Sequence, residues 1–214
     1  MLTFLEETLL LCLDDESGRF LPILPTSMTA AAAGALLMDL ALLDRVDSDL
    51  EKLWVADATP TGEPLLDDAL GQLAAAPVDQ TVRFYLDLLA RDGERYREMG
   101  VRRLVERGIL AIEEGRLLWV FRTRRYPVLD GRQQREVKDR LLAILGSDDI
   151  PDPRDVVLIC LSSACRIIQT VVGEVAYEEM RPRIEMLRKL DLIGQSVMRT
   201  VEEMEFVLAT APIQ

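Results

Sequence analysis

The stretch RRLVERGILAIEEGRLLWVFRTRRYPV, residues 102–128, contains the two structural elements that define the predicted fold. Its first part completes a helix that is expected to end at Gly108, because glycine readily adopts the left-handed conformation that closes helices. The rest predicts a strand over residues 109–112, a tight turn at Glu113–Gly115 and an apolar strand from Leu117 to Phe121. This hairpin interrupts a chain whose pattern is otherwise mainly helical.

The second predicted strand of this hairpin is apolar on both sides. Alternation places Leu117, Trp119 and Phe121 on one face. Leu118 and Val120 then lie on the other face. We expect one face to pack on the preceding helix and the other to meet a partner subunit or a membrane. Alternatively, every second side chain simply faces the core. Four arginines border this apolar strand: Arg116, Arg122, Arg124 and Arg125.

Composition favours helix packing over a β-sandwich or barrel. Apolar residues make up 49% of the 214 residues, but only 5% are aromatic, so aliphatic side chains must build the core. Thr3 and Glu6 predict a capping box at the start of an N-terminal helix, and Pro64 predicts the first position of a later one. We therefore predict a mainly α protein. It should be one domain, residues 1–214, with a helical bundle core, surrounding amphipathic helices and a projecting β-hairpin.

The residue types argue against an enzyme and against any cofactor or metal. The chain has no histidine, which excludes the usual Ser-His and Cys-His nucleophile pairs and histidine-containing zinc sites. Its three cysteines stand in apolar surroundings without a CxxC pattern, as expected for reduced core residues of a cytoplasmic protein. Adjacent acidic pairs such as Asp67-Asp68 point about 100° apart on a helix, so they make poor acid–base dyads. Phosphate loops and serine nucleophile elbows are also absent.

The N-terminal half contains no convincing membrane span. The longest uncharged run, residues 20–38, includes two prolines, and its helical part is short and rich in alanine. Any contact with a membrane is therefore expected to be peripheral.

Positive charge is concentrated around the hairpin. The net charge of the chain is −12, but residues 91–140 contain 14 basic and 9 acidic residues, so the rest of the chain carries −17. Thirteen of the 14 are arginines, whose planar fork binds phosphate in a bidentate manner. In the helix before the hairpin, the arginines do not fall on one face. A surface helix crossed by salt bridges is the alternative explanation.

Three kinds of partner fit this charge distribution. An anionic membrane could take up the apolar hairpin while the arginines bind headgroups. The acidic remainder could instead bind basic peptide tails of membrane proteins, as an adaptor does. A winged helix on DNA is the weakest alternative, because DNA-binding domains are usually basic overall. We therefore expect no nucleic-acid partner.

Five segments in order resemble the Golgi phosphoprotein 3-like family of peripheral membrane proteins. They are LTFLEETLLLCLDDESGRF, GALLMDLALLDRV, ADATPTGEPLLDDAL, VRRLVERGIL and YPVLDGRQQREVKDRLLAIL, of which the third is the most specific. The resemblance covers most of the chain and weakens after about residue 150. It implies a mainly α-helical fold with a protruding apolar hairpin. The two apolar faces of the hairpin separately suggest a homo-oligomer formed through it. The short alanine-rich helix and the lack of an extended N-terminus resemble a bacterial member.

The resemblance also implies positions for a lipid headgroup. Eukaryotic members bind phosphatidylinositol 4-phosphate and retain glycosyltransferases by holding their cytosolic tails. Their pocket uses a tryptophan before the second helix, an arginine within it, and two arginines in the helix preceding the hairpin. These positions correspond here to Leu24, Ala33, Glu94 and Arg97. Only Arg97 keeps the family's residue, so the resemblance implies binding of anionic lipid without defining which lipid.

Overall fold

The computed structural model describes residues 1–49, 52–78, 80–117, 121–189 and 199. These residues form the predicted mainly α fold. The helices are α1 (Phe4–Leu11), α2 (Pro25–Leu42), α3 (Pro64–Ala75), α4 (Val82–Arg91), α5 (Gly93–Glu106), α6 (Arg132–Leu145), α7 (Pro153–Ala164), α8 (Ile167–Val172) and α9 (Glu174–Leu187). The strands are β1 (Val46–Ser48), β2 (Lys52–Val55), β3 (Gln80–Thr81), β4 (Glu113–Leu117) and β5 (Phe121–Arg125).

Helix α2 is the centre of the bundle. It contacts α1, α3, α4, α5 and α7, and its alanine-rich surface lets these helices approach closely. Within the described part of the chain, α2 alone has the length and apolar composition of a membrane span, but 72% of that window is buried by the surrounding helices. Because its neighbours cover it, α2 has the environment of a core helix in a folded bundle.

Helix α1 begins with the predicted capping box. The Thr3 backbone N–H donates to Glu6 Oε2 at 2.8 Å, and the Glu6 N–H donates to Thr3 Oγ1 at 3.2 Å. All residues of α1 are buried, because the helix lies between α2, α5, α6 and α7. The prediction of a helix start at Pro64 is also confirmed, since Pro64 is the first residue of α3.

A small antiparallel sheet flanks the bundle. Its strand order is β1-β2-β3, with Val46 opposite Val55 and Leu53 opposite Gln80. Leu53 is the buried residue of β2 and joins the sheet to the core.

The hairpin exists, but its predicted strand boundaries are wrong. Residues 113–115 belong to β4 rather than to a turn, and Leu117 pairs with Phe121 across the hairpin. Leu117 and Phe121 therefore do not belong to one continuous strand. Glu114 is opposite Arg124, and the two side chains are 3.6 Å apart, an arrangement in which opposite charges on neighbouring strands support the pairing. Leu118, Trp119 and Val120, on which part of the prediction rests, lie outside the described residues.

The end of α5 leads into the hairpin through a left-handed glycine. The helix ends at Glu106, and Gly108 has φ +70°, so its predicted left-handed role is confirmed. Instead of the predicted first strand at 109–112, there is one bridge between Leu110 and Val128. Six residues, 107–112, thus separate the end of α5 from the start of β4.

Candidate functional site

Residues of α5 and of the hairpin meet at a small surface depression. Four residues at the spacing of one helix face, Arg97, Glu98, Val101 and Arg102, come from α5. The hairpin side adds one apolar, one basic and one aromatic side chain. The depression has a volume of about 40 Å³, and we call its lining the hairpin-base surface: Arg97, Glu98, Val101, Arg102, Ile112, Arg124 and Tyr126.

Aromatic contacts hold this surface in place. The guanidinium carbon of Arg97 lies 5.2 Å from the centre of the Phe20 ring. Phe20 in turn packs edge to face against Tyr126, with ring centres 5.4 Å apart. The Tyr126 N–H donates to the carbonyl oxygen of Gly18 at 2.6 Å. Gly18 has φ +63°, and a Cβ there would lie 2.9 Å from the Pro127 nitrogen, so the turn and the hairpin base fit tightly together.

The cations of the hairpin-base surface are incompletely neutralised. Arg124 is 3.6 Å from Glu98 Oε1 and 3.6 Å from Glu114 Oε1, and all three side chains are exposed. Such surface pairs contribute about 0–1 kcal/mol, so a phosphate group could replace them at little cost. Arg102 is exposed and forms no ion pair with the described part of the chain. This surface can therefore accept an anion.

Only part of the predicted headgroup set lies at this surface. Arg97 Nη2 is 2.6 Å from Glu94 Oε2, so these two residues are paired one turn apart on α5. Ala33 is 0% exposed in the middle of α2, where it can contact only the core. Leu24 precedes α2, is 58% exposed and lines a different cavity, together with Ser27 and other residues.

The predicted hairpin residues are described unequally. Leu117, Phe121 and Arg122 lie on paired strands, and the structure describes their backbone but not their side chains. Leu118 and Trp119 lie outside the described residues. Arg124 and Arg125 are exposed at the base of the hairpin.

Many of the other arginines in this region are structural. Arg95 forms a bidentate pair with Asp68, and Arg103 pairs with Glu6 at 3.3 Å. Arg140 bridges Glu7 and Asp155 at 2.7 and 2.8 Å. For these side chains, the alternative of a surface crossed by salt bridges is the correct one.

Sequence reasoning missed a buried ionic cluster between α1, α2, α6 and α7. Glu6, Glu7 and Asp39 are almost completely buried, and Arg154 Nη2 lies 3.0 Å from Glu7 Oε2. A signal was present, since Glu6 and Glu7 stand inside an apolar helix and buried acids require cationic partners. Glu7 and Arg154 of this cluster line a cavity of about 810 Å³, whose charged residues carry both signs.

Burial perturbs one carboxyl group of this cluster strongly. It raises the pKa of Asp39 to about 7, although the Phe4 N–H and Arg154 oppose the rise. The Phe4 N–H donates to Asp39 Oδ2 at 2.8 Å. Within the described residues, no group of three histidine, cysteine, aspartate or glutamate side chains could hold a metal ion.

Comparison with known proteins identifies the family. Residues 4–204 match the family model of Golgi phosphoprotein 3 (GPP34). The chain belongs to the Golgi phosphoprotein 3 family. The resemblance inferred from five sequence segments is therefore confirmed, and the family match extends well beyond residue 150, where the resemblance weakened.

One curated relative carries a name that refers to protein sorting. It is vacuolar protein sorting-associated protein 74 of Eremothecium gossypii, which is 27% identical over 213 residues. The alignment covers 83% of this chain and 63% of the relative, so the chain spans less than two thirds of the length of that protein.

Proposed function

We propose that this member of the Golgi phosphoprotein 3 family is a non-catalytic, peripheral membrane protein that binds anionic lipid headgroups through the hairpin-base surface. One observation carries the proposal. Arg97 and Arg102 of α5 and Arg124 of the hairpin line one exposed depression, in a chain whose net charge is −12. An acidic protein needs such a local positive surface to approach an anionic membrane, because long-range repulsion otherwise opposes contact.

The family position of the protein supports the membrane part of this proposal. The hairpin connects directly to the arginine-lined surface through Arg124 and Arg125, so its tip and the arginines could meet a membrane together. Apolar side chains of the tip would then enter the interfacial region while arginines bind phosphates. Trp119, Leu118, Leu117 and Phe121 remain the predicted apolar contacts. Cytoplasmic location and a homo-oligomer formed through the hairpin also remain predictions.

We propose binding by surface charge rather than specific recognition of phosphatidylinositol 4-phosphate. Arg97 already pairs with Glu94, which stands where the family pocket has a second arginine. Ala33 is buried and has no polar atom in its side chain, and Leu24 lines another cavity. Each missing charge-assisted hydrogen bond is worth about 1.5–3 kcal/mol, so together they would weaken specific binding by orders of magnitude.

Vesicle co-sedimentation tests the proposal. We would compare the wild type with the pair Arg102→Glu and Arg124→Glu on phosphatidylcholine vesicles containing increasing phosphatidylserine, at low and high salt. The matched control is Arg132→Glu with Arg181→Glu, two exposed arginines on α6 and α9 that undergo the same change of charge. We expect the first pair to lose binding and the control to keep most of it. Equal loss in both pairs would reject the hairpin-base surface as the binding site.

The second candidate is an adaptor for basic peptide tails of membrane proteins. Its support is the −17 charge outside residues 91–140, together with a relative whose name refers to protein sorting. Both functions can coexist, because the net negative charge lies outside residues 91–140, which contain the arginines of the hairpin-base surface. Fluorescence anisotropy with a lysine- and arginine-rich peptide, and with its charge-reversed counterpart, tests this candidate. Binding that is insensitive to salt, or equal for the two peptides, would count against it.

A further inference from the structure

The cavity of about 810 Å³ that Glu7 and Arg154 line lies between the N-terminal segment, the end of α5, one face of α6 and the start of α7. Its volume is in the range of pockets that hold small molecules. It shares none of its described lining residues with the hairpin-base surface. The charged residues of its lining are Glu7, Arg107, Glu136, Arg140, Asp152, Arg154 and Asp155.

Some of these charges already neutralise one another. Arg140 lies 2.7 Å from Glu7 and 2.8 Å from Asp155, and Arg154 lies 3.0 Å from Glu7. These close pairs hold α1, α6 and α7 together, so their groups are not available to a ligand. The charged groups that remain for a ligand are Arg107, Glu136 and Asp152.

Arg107 can offer its guanidinium to an anionic group in the cavity. Its Nη1 and Nη2 both donate to the Met1 carbonyl oxygen at 3.1 Å, and Met1 is 98% exposed. A carboxylate can replace this exposed carbonyl, because the guanidinium fork binds two carboxylate oxygens at once. The Nε atom lies 3.5 Å from Glu6 and orients the fork.

Glu136 and Asp152 can accept from a cationic group in the same cavity. Oε1 of Glu136 is 3.6 Å from Arg140, and the Glu136 side chain is 71% exposed, so this pair is weak. Oδ1 of Asp152 accepts from the Arg154 N–H at 2.8 Å, and Asp152 forms no ion pair within the described residues. Both carboxylates therefore keep most of their capacity to bind a cation.

The side chain of Gln133 is an independent sign of a ligand. Gln133 lines the cavity, and its Oε1 atom is buried without a hydrogen-bond donor in the described part of the chain. Buried oxygen atoms in proteins are normally hydrogen-bonded, because a buried acceptor without a donor costs free energy. A ligand that carries an ammonium group would supply the missing donor.

We propose that this cavity binds a free α-amino acid with a cationic side chain, such as lysine. The carboxylate of the ligand binds to Arg107. Its α-ammonium and side-chain cation donate to Glu136, Asp152 and the Gln133 oxygen. The charges are complementary, since the available protein groups are one cation and two carboxylates, and the ligand carries one carboxylate and two cations.

Titration of the ¹⁵N-labelled protein with lysine and three analogues tests this assignment. Lysinamide lacks the carboxylate, Nα-acetyl-lysine lacks the α-ammonium, and norleucine lacks the side-chain cation. At matched ionic strength, we expect saturable shifts of the Arg107 and Gln133 amide signals with lysine. Each analogue should bind at least about tenfold more weakly, because one charge-assisted bond is lost. Absence of saturable lysine binding, or an analogue that binds as tightly as lysine, overturns the proposal.

Glu136→Gln and a matched control test the acidic side of the cavity. Asp139→Asn is the control, because Asp139 is also exposed on α6 but is not part of the described cavity lining. Both variants remove one negative charge from an exposed position of the same helix. Glu136→Gln should weaken lysine binding about tenfold, whereas the control should bind as the wild type does. Equal affinities in the two variants would reject Glu136 as a ligand-binding residue and with it the proposed site.

Arg107→Gln tests the recognition of the carboxylate. Glu6 keeps Arg103 as a partner at 3.3 Å, so the variant should still fold. It should weaken the binding of lysine without weakening that of lysinamide, because lysinamide has no carboxylate for the guanidinium. Equal weakening of both ligands would mean that Arg107 acts only through the fold, which contradicts the proposal.

This site can be separated from the proposed membrane-binding surface. The pair Arg102→Glu and Arg124→Glu should reduce vesicle binding and leave lysine binding unchanged, because neither residue is part of the described cavity lining. Glu136→Gln should have the opposite pattern. Either proposal can therefore fail without the other.

Discussion

Nη2 of Arg154 lies 3.0 Å from Oε2 of Glu7, although the two residues are 147 positions apart in the sequence. The guanidinium carbon of Arg154 is 4.1 Å from the centre of the Phe4 ring, and Nη2 also donates to the Leu2 carbonyl oxygen at 2.8 Å. Arg154 therefore joins the first turn of α7 to α1. A single side chain satisfies a buried carboxylate, a backbone carbonyl and an aromatic face at one place.

Removing this cation should destabilise the fold strongly. We expect Arg154→Met to lower the free energy of unfolding by about 3–5 kcal/mol, because it leaves buried carboxylates with fewer partners. Urea denaturation followed by circular dichroism measures the change. The matched control is Arg181→Met, which breaks an exposed pair with Glu178 and should alter stability by less than about 0.5 kcal/mol. Similar losses in both variants would contradict a structural role for the buried cluster.

Asp39 should make stability depend on pH in a defined direction. Because burial raises its pKa to about 7, the folded state holds a proton that the unfolded state releases near pH 4. The contribution of Asp39 to the free energy of unfolding is thus most favourable below about pH 4 and is lost as the pH rises to about 7. Asp39→Asn removes this dependence.

The measurement is a series of urea titrations of wild type and Asp39→Asn between pH 4.5 and 8. The stability of the wild type relative to the variant should fall by roughly 2–4 kcal/mol over this range and level off above pH 7. A difference that stays constant with pH would show that Asp39 is ionised throughout.

Gly100 should be required for the close crossing of α5 and α1. A Cβ at this position would lie 2.6 Å from Leu9 Cδ1 and 3.3 Å from Leu5 Cγ, and both leucines are buried. Overpacking of a core costs about 1–3 kcal/mol, which exceeds the gain of nearly 1 kcal/mol from replacing glycine by alanine in a helix. We expect Gly100→Ala to destabilise the protein in thermal unfolding.

Gly71 provides the control for this change. It also lies within a helix, α3, but nothing is within 4 Å of a Cβ built there. Gly71→Ala should therefore stabilise the protein by about 0.5–1 kcal/mol. If both Gly100→Ala and Gly71→Ala stabilise the protein, the α1–α5 contact is looser than the structure indicates.

Asp68 should stabilise the contact between α3 and α5. Its carboxylate accepts from Arg95 at 3.0 and 2.6 Å and from the Tyr96 hydroxyl at 2.8 Å. The hydrogen bond from Arg95 lowers the pKa of Asp68, so this stabilisation is present above about pH 4 and is lost at lower pH. We expect Asp68→Ala to cost about 1–3 kcal/mol at neutral pH, since the Tyr96 hydroxyl loses an acceptor.

A double-mutant cycle with Tyr96→Phe measures the coupling between Asp68 and Tyr96. If Tyr96 acts through Asp68, the second substitution should have a smaller effect in the Asp68→Ala background than in the wild type. Strictly additive effects would mean that the two groups stabilise the fold independently.

Several features of the fold could be predicted from local sequence. The Thr3–Glu6 capping box, the start of α3 at Pro64 and the left-handed Gly108 all depend on interactions within one helical turn. Such features can be predicted without knowledge of the tertiary structure, because helix propensity and capping act over about four residues. Five segments in register were enough to predict the family.

The hairpin register and the placement of the site required the tertiary structure. Gly115 resembled a turn residue, but it lies in β4 opposite Thr123, because register depends on every residue pair across the two strands at once. Whether an arginine is free or paired likewise depends on which helix faces meet.

The sequence by itself determined that this chain is a mainly α member of the Golgi phosphoprotein 3 family with a hairpin and a concentration of arginines. Only the tertiary structure decided that Arg103 and Arg140 neutralise Glu6 and Glu7, whereas Arg102 and Arg124 remain at an exposed surface. The physical reason is the sequence separation over which each kind of interaction acts. Helix periodicity and caps arise from neighbours in sequence, but the pairing of a charge depends on residues about a hundred positions away.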